Sequence, residues 1–157
     1  MPITASDVRP APLPADFFCF AVYTAGHAFN RIYKPLLDPL KLTYPQYLVM
    51  VALWAQDRQT VGRLSEALFL ESNTLTPLLK RLEASGYVTR VRNPDDERQV
   101  HIRLTRTGAA LKAKARDFPA CVSAATGLSV ADAKVLHRSI IALRKNLQKS
   151  AKRPASD

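Results

Sequence analysis

Between Thr60 and Thr105 the spacing of the apolar residues changes twice. Val61, Leu64 and Leu68 recur at i, i+3 and i+7, which is one face of a short helix. FLES interrupts that spacing, and Leu75, Leu78, Leu79 and Leu82 then mark a second amphipathic helix. Gly86 stands where a helix C-cap glycine would stand. Beyond it the period falls to two. Val100, Ile102 and Leu104 alternate with His101, Arg103 and Thr105, as in a half-buried strand. Residues 87–92 make a partner strand, and NPDDERQ between the two has the residues of an exposed turn. Two short helices followed by a hairpin is the order of a winged helix-turn-helix. Its second helix would enter a DNA major groove, and its hairpin tip would reach backbone or minor groove.

The flanks read as helices. Asp16 is a good N-cap for FFCFAVYTAGHAFNRIY, which is apolar on most of its surface and is limited by Pro35. Thr43 and Gln46 have capping-box spacing, with Pro45 in the first turn, and start YPQYLVMVALWAQD. Tyr47, Leu48, Val51 and Trp54 form its expected core face. The second amphipathic helix begins at Asn73 or Thr74, because Pro77 would cost a hydrogen bond in a helix begun at Ser72; it runs to about Ser85. Thr105 caps RTGAALKAKARDF, which Pro119 interrupts. Ser129 and Asp132 start the last helix, where Leu136, Ile140, Leu143 and Leu147 form a stripe at three- and four-residue steps.

The fold class is therefore mainly α (α+β). Residues 1–15 carry four prolines and form an arm that is either disordered or laid across a partner subunit. Residues 16–42 and 117–150 hold apolar helices expected to dimerise, 43–116 the winged helix, and 151–157 a flexible tail. A homodimer follows if the winged helix closes its own core, and its two-fold axis would match two half-sites of a palindromic operator in double-stranded DNA.

Charge strengthens that expectation. The chain has 157 residues and a formal net charge of +10, which favours a polyanion or a membrane surface as partner. A run of charge is usually no more than a solvated face. Here Lys80, Arg81, Arg90, Arg92, Arg98, Arg103 and Arg106 gather on the elements that would touch phosphate. Ser72, Asn73, Thr74 and Thr76 crowd the start of the second helix, where capping and base contact are both expected. The DNA-binding set is Ser72, Asn73, Thr74, Thr76, Lys80, Arg81, Arg90, Asp96 and Arg98, with Arg98 braced by Asp96 at the wing tip.

Other classes are disfavoured. The longest apolar run is too short and too polar to span a bilayer. The first residues hold prolines rather than a signal segment, so a cytoplasmic protein is expected. His27, His101 and His137 share no metal-ligand spacing, and two distant cysteines build neither a disulfide framework nor a zinc module. No metal or cofactor is expected. The motifs of phosphate loops, catalytic triads and paired carboxylates are missing, which argues against an enzyme.

Cys19 lies among Phe17, Phe18 and Phe20. A cysteine in such a setting is most often an inert core residue. Counted from Asp16 as cap, however, it is the third residue of a helix, where free N–H groups favour a negatively charged sulfur. Tyr23 stands at i+4 on the same face.

FCFAVYTAGHAFNRIYKPLL, LTYPQYLVMVALW, TVGRLSEALFLESNTLTPLLKRLEASGYVTR and NPDDERQVHIRLT together resemble the MarR family of winged-helix regulators. Within it the chain is similar to the OhrR-type repressors, which sense organic hydroperoxides. The resemblance covers roughly residues 16–149 and includes the DxR element as Asp96-Glu97-Arg98. It implies that Cys19 is the redox-sensing residue. It also implies that Tyr33 and Tyr44, with Tyr23 nearby, hydrogen-bond the sulfur across the dimer. Oxidation of Cys19 to a sulfenic acid would release the operator. Some members of the family then use a small cellular thiol, and others a second cysteine of the partner subunit, for which Cys121 is the candidate. Two readings stay open beside this one: a repressor released by a phenolic or apolar acid, and a peroxidase using Cys19 in turnover.

Overall fold

The computed structural model describes residues 13–94 and 96–152; most of the proline-rich arm (1–12) and of the tail (153–157) lie outside them. Among the described residues seven α-helices and three strands follow in order: α1 (Phe18–Leu37), α2 (Tyr44–Ala55), β1 (Gln59–Thr60), α3 (Val61–Leu68), α4 (Ser72–Ala84), β2 (Val88–Asn93), β3 (Asp96–Leu104), α5 (Arg106–Lys114), α6 (Phe118–Ala125) and α7 (Val130–Ala151). The sheet is antiparallel in the order β1-β3-β2. The chain divides after Phe118 into two compact units.

In the first unit α3 and α4 form the helix-turn-helix, and the sheet is the wing. Leu64 of α3, Leu75, Leu79 and Leu82 of α4, Val88 of β2 and Ile102 of β3 are all buried in one core with Val49, Met50 and Leu53 of α2. Leu37, Leu40 and Leu42 join it, so the end of α1 belongs to the DNA-reading fold. That burial explains why Pro35 does not stop α1. Proline inside a helix costs about 3 kcal/mol locally, and carrying Leu37 into the core offsets it.

Three caps follow the sequence. Thr43 accepts from Gln46 N–H, and Gln46 Oε1 accepts from Thr43 N–H. Thr105 Oγ1 accepts from Gly108 N–H, and Ser129 Oγ from Asp132 N–H. The end of α4 is a Schellman turn: Gly86 (φ 74°) donates to Glu83 and Tyr87 to Leu82, closing the last carbonyls.

Other expectations are corrected. Asp16 does not cap α1. It closes a 3₁₀ turn begun at Pro14, and its carboxylate accepts from Leu13 N–H at 2.9 Å; Phe17 takes the N-cap position. α4 starts at Ser72, with Glu71 as N-cap, and keeps Pro77 inside it, because the exposed first turn tolerates an Asn73 carbonyl without its helical donor. Val51 is exposed; the core face of α2 is Tyr47, Val49, Met50 and Leu53. α5 ends at Lys114, ahead of Pro119. β3 begins at Asp96, inside the stretch expected to be a turn. β1 was not anticipated, since two residues cannot display a period.

In the second unit α7 is amphipathic, yet Leu136, Ile140 and Leu147 are exposed.

Candidate functional site

The first turn of α4 presents Ser72, Asn73 and Thr74 to solvent, and Lys80 and Arg81 are exposed further along. Thr76 is half-buried. Its hydroxyl donates to the Ser72 carbonyl at 2.7 Å, which keeps it on the helix side of the surface. The reading face is thus small and polar at its start and cationic beyond, which suits base edges and then phosphates.

The wing ladder jumps from Arg92 opposite Val100 to Asn93 opposite Asp96. Residues 97–99 therefore bulge out of β3 and carry Arg98 into solvent. Asp96 does brace Arg98, but through the backbone: Arg98 N–H donates to its carboxylate at 3.1 Å. Among the described residues its guanidinium meets no acceptor, and its side chain is exposed. Arg90 is placed differently, with its Nε donating to Glu83 at 2.7 Å.

Cys19 is exposed and is the second residue of α1. The Phe17 carbonyl accepts from Phe20 and Ala21, so the amides of Phe18 and Cys19 open the helix without intrahelical acceptors. The Tyr23 ring stacks on Phe20 and meets His27 edge-on at 4.3 Å.

Tyr33 and Tyr44 are brought together, their rings 4.5 Å apart, and Tyr47 joins them at 5.6 and 6.4 Å. Burial, and then the nearness of Tyr44 and Tyr47, pushes the Tyr33 hydroxyl up to about 12. Burial raises Tyr44, and burial with Tyr44 raises Tyr47. All three therefore stay protonated at neutral pH and act as donors. Tyr47 also packs on Trp54 and Phe118. Its place in the tyrosine group was not legible, because it reads equally well as a core position of α2.

Cys19 cannot reach this group in its own chain. Fourteen residues of helix separate it from Tyr33, about 21 Å at 1.5 Å per residue. Cys121 is exposed on α6 in the second unit.

Residues 31–115, which span the tyrosines, the helix-turn-helix and the wing, match the family Transcriptional regulator SarA/Rot. The chain belongs to this SarA/Rot-type, MarR-like family of winged-helix transcriptional regulators. The regulator is 48% identical over 133 residues to the HTH-type transcriptional regulator TtmR of Methylorubrum extorquens, covering 85% of this chain and 68% of that one. It is 44% identical to the organic hydroperoxide resistance transcriptional regulator of Bacillus subtilis, covering 82% and 88%. Among solved structures, reduced AbfR bound to DNA matches at 35% identity, 85% and 93% coverage and a TM-score of 0.72. The disulfide form of AbfR matches at 33% identity, 88% and 92% coverage and a TM-score of 0.59. Cys19 and Cys121 both lie outside residues 31–115, so the family match by itself speaks for the reading domain and not for the thiols. No helix among the described residues is long and apolar enough to cross a membrane.

Proposed function

We propose that this regulator is a dimeric DNA-binding repressor that senses organic hydroperoxides through Cys19 and then leaves its operator. The observation that carries it is a mismatch within one chain. An exposed cysteine heads α1, its tyrosine donors gather about 21 Å away at the other end, and Phe18, Phe29 and Ile32 lie uncovered on the same helix. A second copy laid antiparallel along α1 would cover those residues and bring its Cys19 to Tyr33 and Tyr44. The name of the Bacillus relative, and the reduced and disulfide states of AbfR, support redox chemistry on this fold.

The chemistry balances on two steps. The thiolate attacks the peroxide O–O bond, the sulfur becomes a sulfenic acid, and the alcohol leaves after taking up a proton. A second thiol, from Cys121 of the other copy or from a small cellular thiol, then condenses with it, forming a disulfide and releasing water. The sensor reacts once per thiol and is reset by reductant, so it signals rather than turns over.

The test is a mobility shift on the duplex that the protein selects from a random-sequence pool. An organic hydroperoxide should release the duplex, and a dithiol reductant should restore binding. Release by a phenolic acid, with none by hydroperoxide, would transfer the function to reversible ligand binding.

Arg98→Ala is expected to weaken binding and to lower the slope of log K against log salt by about 0.9, the equivalent of one phosphate on B-DNA. Binding isotherms at several salt concentrations measure it. An unchanged slope and affinity would remove Arg98 from the DNA surface.

A further inference from the structure

Arg90 is one of the cations expected to face DNA, yet its guanidinium is already engaged. Glu83, in the last turn of α4, accepts from Arg90 twice, once from the side chain and once from the backbone. Arg90 Nε donates to Oε2 at 2.7 Å, and Arg90 N–H to Oε1 at 3.2 Å. Only the Schellman turn at residues 85–87 links α4 to the start of β2. The carboxylate spans that turn, with one oxygen on the strand's backbone and the other on its side chain. Two attachments restrain rotation as well as distance. On one side of the turn lie Ser72 to Arg81, and on the other the strand that leads to the Arg98 bulge. The pair therefore sets the relation between the two elements that would touch DNA.

Its charge opposes its surroundings. In a chain of net charge +10, a carboxylate on the edge of the reading helix repels phosphate and occupies an arginine. By electrostatics alone it lowers non-specific affinity. It adds little to stability, because both side chains are more than a third exposed, at 37% and 36%, where ion pairs count for little. What it supplies is geometry.

We propose that Glu83 is a positioning residue that sets sequence specificity, locking the wing to the reading helix through Arg90 and withholding that arginine from phosphate. This rests on the DNA-binding reading above. The probes are the duplex selected by wild type from a random pool and a mixed-sequence duplex of equal length. Both are titrated from about 50 to 200 mM salt, where phosphate contacts dominate the change in affinity. Glu83→Ala should bind the mixed duplex at least as tightly as wild type, with a steeper salt slope. It should bind the selected duplex more weakly by about tenfold, the size of one mismatched base pair. Arg90→Lys keeps the charge and the backbone N–H bond but loses the directed Nε bond that fixes the side chain on Glu83, and should lose the same discrimination. Thermal melting accompanies each variant.

If Glu83→Ala tightens both duplexes by one factor, the residue acts only as a charge and the proposal fails. Equal weakening on both duplexes with a lowered melting point would make it structural, and unchanged discrimination in both variants would also overturn it. If wild type selects no duplex at all, the DNA reading falls and the clamp falls with it.

Discussion

Cys19→Ser is expected to stay on its DNA at a hydroperoxide concentration that strips the wild type by an order of magnitude or more. The hydroxyl is nearly isosteric with the thiol but does not react with the O–O bond, so the variant should keep its reduced-state affinity and lose the response. The size of the effect follows from geometry. In the proposed dimer the two reading helices must hold a fixed spacing of about one DNA turn, so a small rigid-body rotation of one copy against the other would be enough to lose binding. A disulfide imposes such a movement, because bonded cysteine Cα atoms lie about 5.5–6 Å apart. Wild type treated with an organic hydroperoxide should run as a cross-linked dimer on a non-reducing gel if Cys121 is the second thiol, and Cys121→Ser should abolish that band. Release without the band would assign the second step to a small thiol. If Cys19→Ser is released as readily as wild type, Cys19 is not the sensor.

Gly108→Ala is expected to destabilise the folded chain by about 3 kcal/mol or more, beyond the usual range for an overpacked core. A Cβ at this position would stand 1.9 Å from the Tyr87 carbonyl oxygen and 2.8 Å from its carbon. Both atoms are backbone and cannot rotate away. The approach is close because three elements are joined there. Trp54 Nε1 of α2 donates to the Gly108 carbonyl at 3.0 Å, Thr105 N–H donates to Tyr87, and the Thr105 hydroxyl donates to Gly86. Relieving the clash would open the junction between the Schellman turn, the wing and α5. Denaturant midpoints measure the loss. Gly62→Ala is the control: its Cβ meets nothing nearer than 4.0 Å, and in a helix the change should stabilise by up to about 1 kcal/mol. Similar midpoints for wild type and Gly108→Ala would show that the seam yields more easily than the geometry indicates.

Much of this protein is determined by local pattern. The spacing of Leu64, Leu75, Leu79 and Leu82, the alternation around Ile102, the capping side chains of Thr43, Thr105 and Ser129 and the glycine at 86 each specify their structure within a few residues. A helix face, a strand face and a cap are short-range consequences of side-chain direction and unpaired backbone groups. The family is legible for the same reason, since the helix-turn-helix and wing are contiguous in the chain.

What needed the tertiary structure depends on partners distant in sequence or on competition between local preferences. Asp16 has the chemistry of a cap, but Pro14 starts a tighter turn that takes its carboxylate first. Pro35 should end α1, but the core claims Leu37. β1 exists because Gln59 and Thr60 meet Ile102 and His101, 43 and 41 positions away by number. Tyr47 joins Tyr33 and Tyr44 only after α1 and α2 pack. Arg90 and Arg98 are alike as letters, but a carboxylate across a helix end holds one and a three-residue bulge releases the other. Side-chain type determined which residues could do chemistry or touch phosphate; packing decided which of them are free to do it.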